Sequence, residues 1–246
     1  MGIIMDMDMS MNRNPALKTD FHSHCLPAMD DGAADVETAV AMLRMLAKQG
    51  IETVLLTPHY YATQESVDSF LKRRETALQA LRGIPDLPRL IVGAEVYLDR
   101  DIALPEISKL CIEGTDRLLL EMPFAPFSPW MAELAESCIY TGGCQLIFAH
   151  LSRYLAYYRE SDFDQLLCIP QAIVQINAES LRYRPSRKQV QKWLASGVPI
   201  VYGSDTHNLT TRPPVFHKVS RWLSHPHGGV VPAQLANRLA DELGLL

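Results

Sequence analysis

The stretch Asp20-Phe21-His22-Ser23-His24, followed by Asp30-Asp31-Gly32, decides how the rest of this sequence is interpreted. Residues 18–21 are predicted to form a short strand, and two histidines at alternate positions point the same way if the backbone is extended. Their imidazole nitrogens can then bind one cation at the end of the strand. A single His-x-His pair is weak support for a metal site, because most such pairs lie on surfaces. Support for a metal site must therefore come from the residues at the ends of the other predicted strands.

Composition narrows the class of protein. The chain has 246 residues, 48% of them hydrophobic, which is enough for one sizeable core. A net charge of −5 without a basic tract argues against a broad nucleic-acid-binding face. Five widely spread cysteines are typical of reduced thiols in a cytoplasmic protein. Residues 1–17 are predicted to be a flexible leader and residues 18–246 a single domain. No apolar run is long enough for a membrane span.

Short apolar runs predict seven buried strands with helical patterns between them. The predicted strands are residues 18–21, 52–57, 90–94, 117–120, 145–149, 172–176 and 199–203. The predicted helices are residues 36–49, 65–82, 102–110, 129–140, 162–168, 187–196, 214–223 and 232–243. This alternation indicates a parallel sheet with right-handed crossovers. At this length we expect a closed or nearly closed α/β barrel, in which the carboxyl ends of the strands meet at one mouth.

Potential metal ligands follow almost every predicted strand, and five of the eight histidines are among them. The sixth strand is the exception, because it ends in Asn177, a poor ligand. Together with Asp31, the ligands outnumber those that one ion needs, and they suit two or three divalent cations bridged by carboxylates and a hydroxide. The strand-end residues are His22, His24, His59, Glu95, Glu121, His150, Asp205 and His207.

Five motifs follow one another in a recognisable order. They are Asp20-Phe21-His22-Ser23-His24 with Asp30-Asp31-Gly32, Thr57-Pro58-His59, Gly93-Ala94-Glu95-Val96, His150-Leu151-Ser152-Arg153-Tyr154, and Ser204-Asp205-Thr206-His207-Asn208 with Arg212-Pro213. The pattern resembles the PHP (polymerase and histidinol phosphatase) superfamily from about Lys18 to Pro213. Within it, the sequence is most similar to the bacterial manganese-dependent protein-tyrosine phosphatases of capsule and exopolysaccharide loci.

The resemblance implies a distorted seven-stranded (β/α)7 barrel and a site for two or three divalent ions. Manganese is the first expectation, and iron, zinc or cobalt also suit such ligands. Glu121 is the least secure ligand, since a glutamate at a strand end can equally support another ligand. The implied ligands are His22, His24, Asp31, His59, Glu95, Glu121, His150, Asp205 and His207.

The implied activity is dephosphorylation of phosphotyrosine on a bacterial tyrosine kinase, or a related protein, in capsule or exopolysaccharide synthesis. A metal-bridging hydroxide would attack phosphorus, and Arg153 and Arg212 would bind the phosphoryl oxygens. Asp31 and His207 complete the predicted catalytic residues. The general acid and the oligomeric state are left open, and an oligomer is compatible with the sequence.

Three alternatives stay open at this point. A histidinol-phosphate or other small-molecule phosphatase would use the same metal site, and a carboxylate that holds a substrate amine would favour it. A nuclease is disfavoured by the lack of a basic track. A non-catalytic regulatory barrel would have lost ligands, and no expected ligand is missing.

Several further residues invite competing interpretations. Tyr60 and Tyr61 follow His59 and can stack on a substrate ring or lie in a surface loop. Cys25 is predicted to be a small hydrophobic residue. The segment Cys111 to Arg117 has the Cys-x5-Arg spacing of thiol-dependent phosphatases, but its acidic residues would repel phosphate. The second His-x-His, His225-Pro226-His227, is predicted to lie in a surface loop.

Overall fold

Short parallel strands alternate with helices along residues 16–246, the part of the chain that the computed structural model describes. The predicted leader, residues 1–17, lies outside this part except for its last two residues. The strands are β1 (Thr19–Ser23), β2 (Thr53–Leu56), β3 (His59–Tyr60), β4 (Arg89–Val92), β5 (Glu95–Tyr97), β6 (Arg117–Glu121), β7 (Gln145–Phe148), β8 (Ile173–Asn177) and β9 (Ile200–Gly203). The α-helices are α1 (Val36–Lys48), α2 (Val67–Gln79), α3 (Pro129–Tyr140), α4 (Glu160–Leu167), α5 (Arg184–Ala195), α6 (Phe216–Leu223) and α7 (Pro232–Glu242). Short 3-10 helices lie at Leu104–Leu110, Leu151–Ala156 and Ala178–Arg182.

Two of the predicted strands, residues 52–57 and 90–94, are each followed after a short break by a second strand that was not predicted. Thr57-Pro58 separates β2 from β3, and Gly93-Ala94 separates β4 from β5. Proline has no N–H to donate to a ladder, so a strand is readily interrupted there. The two breaks lie side by side, because β2 pairs with β4 and β3 pairs with β5. As a result, His59 lies directly opposite Glu95.

The described strands form two parallel sheets, ordered β1-β2-β4 and β3-β5-β6-β7-β8-β9. Beyond the end of β9, an isolated parallel bridge joins Ser23 to Thr206. There the backbone N–H of His24 donates to the carbonyl of Thr206 at 3.0 Å. The predicted α/β fold with parallel strands is confirmed. The predicted closed barrel of seven strands is not confirmed, since no continuous ladder within residues 16–246 joins the two sheets.

Helix α1 lies where a helix was predicted, at residues 36–49. The Asp35 side chain caps α1 by accepting from the backbone N–H of Thr38 at 2.8 Å. Gly50, with a φ of +90°, follows the end of the helix. The predicted helix at residues 102–110 is instead the 3-10 helix Leu104–Leu110, which has a proline in its first turn. The buried stripe of α1 consists of Ala39, Met42, Leu43 and Leu46.

The five cysteines differ in the exposure of their side chains. All five are free, and only Cys168 is exposed. Cys25 is fully buried in the hydrophobic core, as predicted for a small apolar residue. No helix within residues 16–246 is long and apolar enough to cross a membrane.

Candidate metal centre

All nine predicted ligands lie in one cluster at the carboxyl ends of the strands. Three overlapping groups can each hold an ion, because the ligand atoms of a group lie within 4.8 Å of one another. His150 is outside these groups but adjoins them. The groups are His24, Asp31, His59 and His207; His22, His24 and Asp205; and His59, Glu95 and Glu121.

Glu95 occupies the centre of the cluster and is fully buried. Its Oε2 lies 3.1 Å from Nε2 of His22, 3.3 Å from Nε2 of His24 and 3.0 Å from Nδ1 of His59. Its Oε1 lies 2.9 Å from Nε2 of His150. A carboxylate surrounded by imidazoles on both oxygens can bridge two cations.

Glu121 lies beside these residues on β6. Its Oε1 is 3.4 Å from Nε2 of His150, and its Oε2 is 3.9 Å from Nδ1 of His59. The residue is 5% exposed. This position is compatible with a ligand and with a residue that supports the two imidazoles.

The opposite side of the cluster is open to solvent. Asp31 has an exposed side chain, and its Oδ1 lies 3.2 Å from Nε2 of His207 and 3.7 Å from Nε2 of His59. Asp205 is buried beneath them, with its Oδ1 3.4 Å from Nε2 of His24. The cluster therefore extends from a buried glutamate to an exposed aspartate.

Burial and charge pairing set the protonation of these groups. Burial would raise the pKa values of Glu95 and Asp205, but the charge of His22 and hydrogen bonds from imidazoles outweigh it and hold both pKa values well below their usual range. For His150, burial would lower the pKa, but hydrogen bonds to Glu121 and Glu95 raise it to about 9. Glu95 and Asp205 are therefore anionic, and a divalent cation would compete with the proton on His150.

Some buried polar atoms in the cluster lack a partner that a cation would supply. Glu95 Oε2, His59 Nδ1 and His207 Nε2 are buried without a hydrogen bond. The first two are 3.0 Å apart but do not have hydrogen-bond geometry. Because buried polar groups are normally satisfied, and because nitrogen and carboxylate ligands suit first-row divalent metals, the residues fit a metal centre.

An open cavity of about 320 Å³ adjoins the cluster on the side of Asp205. Both predicted phosphate-binding arginines line it. Nη2 of Arg212 donates to Oδ1 of Asp205 at 2.8 Å, and Nη1 of Arg153 donates to its Oδ2 at 3.4 Å. The loop before Arg212 is held by Asn208, whose Oδ1 accepts backbone N–H groups of residues 210–212. Two guanidinium groups are thus fixed at the edge of the cluster.

Aromatic side chains also border the site. Phe124 is 40% exposed, and its ring centroid lies 5.8 Å from that of His150 and 5.0 Å from the guanidinium of Arg153. Tyr61 lies beside His59, with ring centroids 5.4 Å apart. Tyr60 packs on Phe70 in the core, so it cannot stack on a substrate. The sequence does not reveal Phe124, because it follows β6 in a loop without periodicity.

Three residues that hold the predicted ligands in place were not predicted from the sequence. Asp30 accepts from Nδ1 of His24 at 2.7 Å and from the backbone N–H of His59 at 2.9 Å. Gln175 and Asn177 on β8 contact the cluster from another side. The available signals were an aspartate adjacent to a ligand and two polar residues in an otherwise apolar strand.

The Cys-x5-Arg segment (residues 111–117) and the second His-x-His pair (residues 225–227) lie away from the cluster. The Cys111 thiol is buried, and a hydrogen bond with Cys144, together with burial, raises its pKa. A protonated thiol is a poor nucleophile. His225 is exposed, and His227 hydrogen-bonds to the carbonyl of Trp222. These positions agree with the predictions for both segments.

Comparisons with known proteins agree on one family. The chain matches the family described as "Capsular polysaccharide synthesis, CpsB/CapC" over residues 18–242. It is 29% identical over 205 residues to the tyrosine-protein phosphatase YwqE of Bacillus subtilis, covering 78% of each chain. It is 26% identical over 225 residues to the tyrosine-protein phosphatase CpsB of Streptococcus pneumoniae, covering 85% of this chain and 90% of that protein.

A solved structure has the same fold. It is described as "Crystal structures of YwqE from Bacillus subtilis and CpsB from Streptococcus pneumoniae, unique metal-dependent tyrosine phosphatases". The TM-score is 0.71 at 22% identity, and the match covers 89% of this chain and 94% of that chain. The family match over residues 18–242 confirms what the motifs predicted, and the chain belongs to the CpsB/CapC family of capsular polysaccharide synthesis.

Proposed function

We propose that this protein is a metal-dependent phosphomonoesterase that removes phosphate from phosphotyrosine on proteins of capsule or exopolysaccharide synthesis. The observation that carries the proposal is the convergence of Arg153 and Arg212 on Asp205, beside a buried cluster of imidazoles and carboxylates. Arginine offers a planar pair of donors that matches phosphate oxygens. The relatives named tyrosine-protein phosphatases support the same activity.

The cluster would hold two or three divalent ions, with manganese first and iron, zinc or cobalt as alternatives. When bound, such ions supply a water molecule of lowered pKa and positive charge opposite the phosphoryl oxygens. The proposed ligands are His22, His24, Asp31, His59, Glu95, Glu121, His150, Asp205 and His207.

The other residues of the site would orient the substrate. Arg153 and Arg212 bind the phosphoryl oxygens at the edge of the cavity, and both side chains are partly exposed, at 42% and 36%. Phe124 offers an apolar face next to Arg153 on which a tyrosyl ring can pack. The exposed Asp31 contacts the buried His207, and we place departure of the phenol beside these two residues.

Three finer points belong to this proposal. We infer that β1 and β9, which are bridged at Ser23 and Thr206, complete a distorted seven-stranded barrel around the site. We place the enzyme in the cytoplasm, where its five free cysteines would stay reduced. Its substrate would be a bacterial tyrosine kinase of surface-polysaccharide export or a related phosphotyrosyl protein.

One observation favours a second candidate, a small-molecule phosphatase that acts on a phosphorylated amino alcohol such as histidinol phosphate. Glu179 lines the same cavity as the two arginines. A carboxylate in this cavity can bind a substrate amine, although Glu179 already pairs with Arg182 at 3.4 Å. The exposed Tyr183 at the same cavity suits a larger, aromatic substrate better.

The deciding experiment compares phosphate release from a tyrosine-phosphorylated peptide and from histidinol phosphate. The protein is stripped with chelator and reloaded with Mn²⁺. We expect the peptide to be preferred and Arg212→Ala to lower kcat/KM for it by about 100-fold, since one lost donor to a developing oxyanion has an effect of this size.

The control is Arg221→Ala, which removes an exposed arginine on α6 and should leave kcat/KM unchanged. Preference for histidinol phosphate, reduced by Glu179→Gln, would establish the second candidate. Turnover of neither substrate by the manganese-loaded protein would refute both.

A further inference from the structure

Strand β8 supplies none of the proposed ligands, yet two of its side chains are buried against the cluster. Gln175 is fully buried and Asn177 is 7% exposed. They lie at alternate positions, so they point to the same face of the strand. We propose that these two amides are positioning residues, which fix the tautomer of His22 and the orientation of Asp205 for metal binding. The inference rests on the proposed metal centre.

A continuous chain of hydrogen bonds links the amides to three ligand residues. Oε1 of Gln175 accepts from the backbone N–H of His150 at 2.6 Å and lies 3.0 Å from Nδ1 of His22. Nε2 of Gln175 donates to Oδ1 of Asn177 at 3.0 Å. Nδ2 of Asn177 then donates to Oδ2 of Asp205 at 2.6 Å. The side-chain oxygen and nitrogen atoms of Gln175 and Asn177 therefore all have hydrogen-bond partners.

The chain has only one consistent direction, because both of its ends are fixed. The backbone N–H of His150 can only donate, so the atom of Gln175 that faces it must be the oxygen. The Asp205 carboxylate can only accept, so Asn177 must present its nitrogen there. Since the same Gln175 oxygen faces Nδ1 of His22, that nitrogen must carry the proton. When the ring is neutral, Nε2 of His22 therefore has its lone pair directed into the cluster, where a cation can replace the second proton of the charged ring.

The neighbouring backbone leaves room for this arrangement only because residue 203 is glycine. A Cβ at Gly203 would lie 2.6 Å from Nε2 of Gln175 and 2.5 Å from Cβ of His22. His22 of β1 and the side chain of Gln175 of β8 therefore both lie close to the backbone of Gly203 in β9. A glycine in a strand often marks such a close approach.

The amide chain also ends on the two ligand residues of the cluster that have left-handed backbone. His150 has a φ of +32° and Asp205 a φ of +50°. Such values are uncommon for residues with a side chain and require support from their surroundings. The chain holds the backbone N–H of one and the carboxylate of the other. It therefore restrains both residues in the conformation that directs them into the cluster.

The test is the affinity of the full-length protein for Mn²⁺ alone, measured by calorimetry after removal of metal with chelator. Gln175→Met keeps the size of the side chain and removes its hydrogen bonds. We expect it to weaken Mn²⁺ binding by about 10- to 100-fold, the usual effect of losing a residue that orients a ligand. Gln175→Glu keeps the acceptor for His22 and should bind Mn²⁺ more tightly than Gln175→Met.

Circular dichroism of the metal-free variants separates positioning from folding. If Gln175→Met does not fold, Asn177→Ala decides the question, and it should weaken Mn²⁺ binding by about tenfold. Gln145→Met is the matched control, because Gln145 is a partly buried glutamine at the start of β7, and it should keep the parent affinity. Folded Gln175→Met and Asn177→Ala variants within twofold of the parent affinity would overturn the inference while leaving the proposed function intact. A parent protein that binds no Mn²⁺ would instead overturn both.

Discussion

The chain contains the same three-residue pattern twice, with opposite surroundings. His22-Ser23-His24 ends β1, both imidazoles are fully buried, and their Nε2 atoms lie 3.1 Å apart. His225-Pro226-His227 lies in a turn after α6, where the ring of His227 stacks on Trp222 at 4.2 Å. Both ring nitrogens of His227 have partners, the carbonyl of Trp222 and the side chain of Gln191.

The difference shows which surroundings a His-x-His pair needs in order to bind a metal ion. A strand end directs both imidazoles into one space, and the neighbouring parallel strands bring carboxylates to the same space. In the second pair, the side chain of Gln191 on α5 and the carbonyl of Trp222 on α6 satisfy the His227 ring, and neither residue lies at a strand end. The His-x-His motif alone therefore does not predict metal binding, whereas its position at the end of a strand does.

The largest expected effect is on kcat, and it distinguishes the two His-x-His pairs. His22→Ala should lower kcat for the phosphotyrosyl peptide by about 1,000-fold or more, because the cations supply several kcal/mol of charge stabilisation. His225→Ala should keep kcat within twofold. Phosphate release at saturating Mn²⁺ measures both variants, and equal losses in the two would end the distinction between the pairs.

A smaller effect, on Mn²⁺ affinity, is expected at Asp30, which hydrogen-bonds to His24 of the first pair. Asp30→Ala removes the acceptor of Nδ1 of His24 and of the His59 backbone. We expect Mn²⁺ affinity to fall by about 10- to 100-fold. Gln191→Ala removes the equivalent partner of His227 and should leave Mn²⁺ affinity unchanged. Calorimetric titration of the two variants compares them directly, and an unchanged affinity in Asp30→Ala would show that His24 needs no such support.

The smallest effect concerns stability. His227→Ala removes two hydrogen bonds and a ring contact from the turn, so the free energy of unfolding should fall by about 1 kcal/mol. Urea denaturation of the metal-free protein measures this change. Reduced Mn²⁺ binding by this variant would contradict a purely structural role for the second pair.

The sequence was sufficient to predict which side chains gather at one end of the strands, because strand-end positions follow from where apolar runs stop. Glu95 and His150 come directly after such a run and His59 follows one after Thr57-Pro58, and the structure brings all three together. Their roles as ligands stay a prediction until metal is bound. The α/β class also followed from alternating patterns along the chain.

Other features depend on contacts between distant residues and were not predictable. The break at Thr57-Pro58 was visible as a proline, but its alignment with Gly93-Ala94 required the pairing of β2 with β4. Burial of Tyr60 depends on Phe70, which lies on another element. Asn177 was noticed only as a poor ligand, because its bond to Asp205 joins residues 28 positions apart.

The distribution of the thiols has a practical consequence. Of the five cysteines, only Cys168 is exposed, and it follows α4, away from the cluster. Burial raises the pKa values of Cys25 and Cys138, which further slows their alkylation. A maleimide dye should therefore attach to the natural sequence at a single position. The labelled protein would report encounter with a phosphorylated partner by a change in fluorescence polarisation, without any engineered residue.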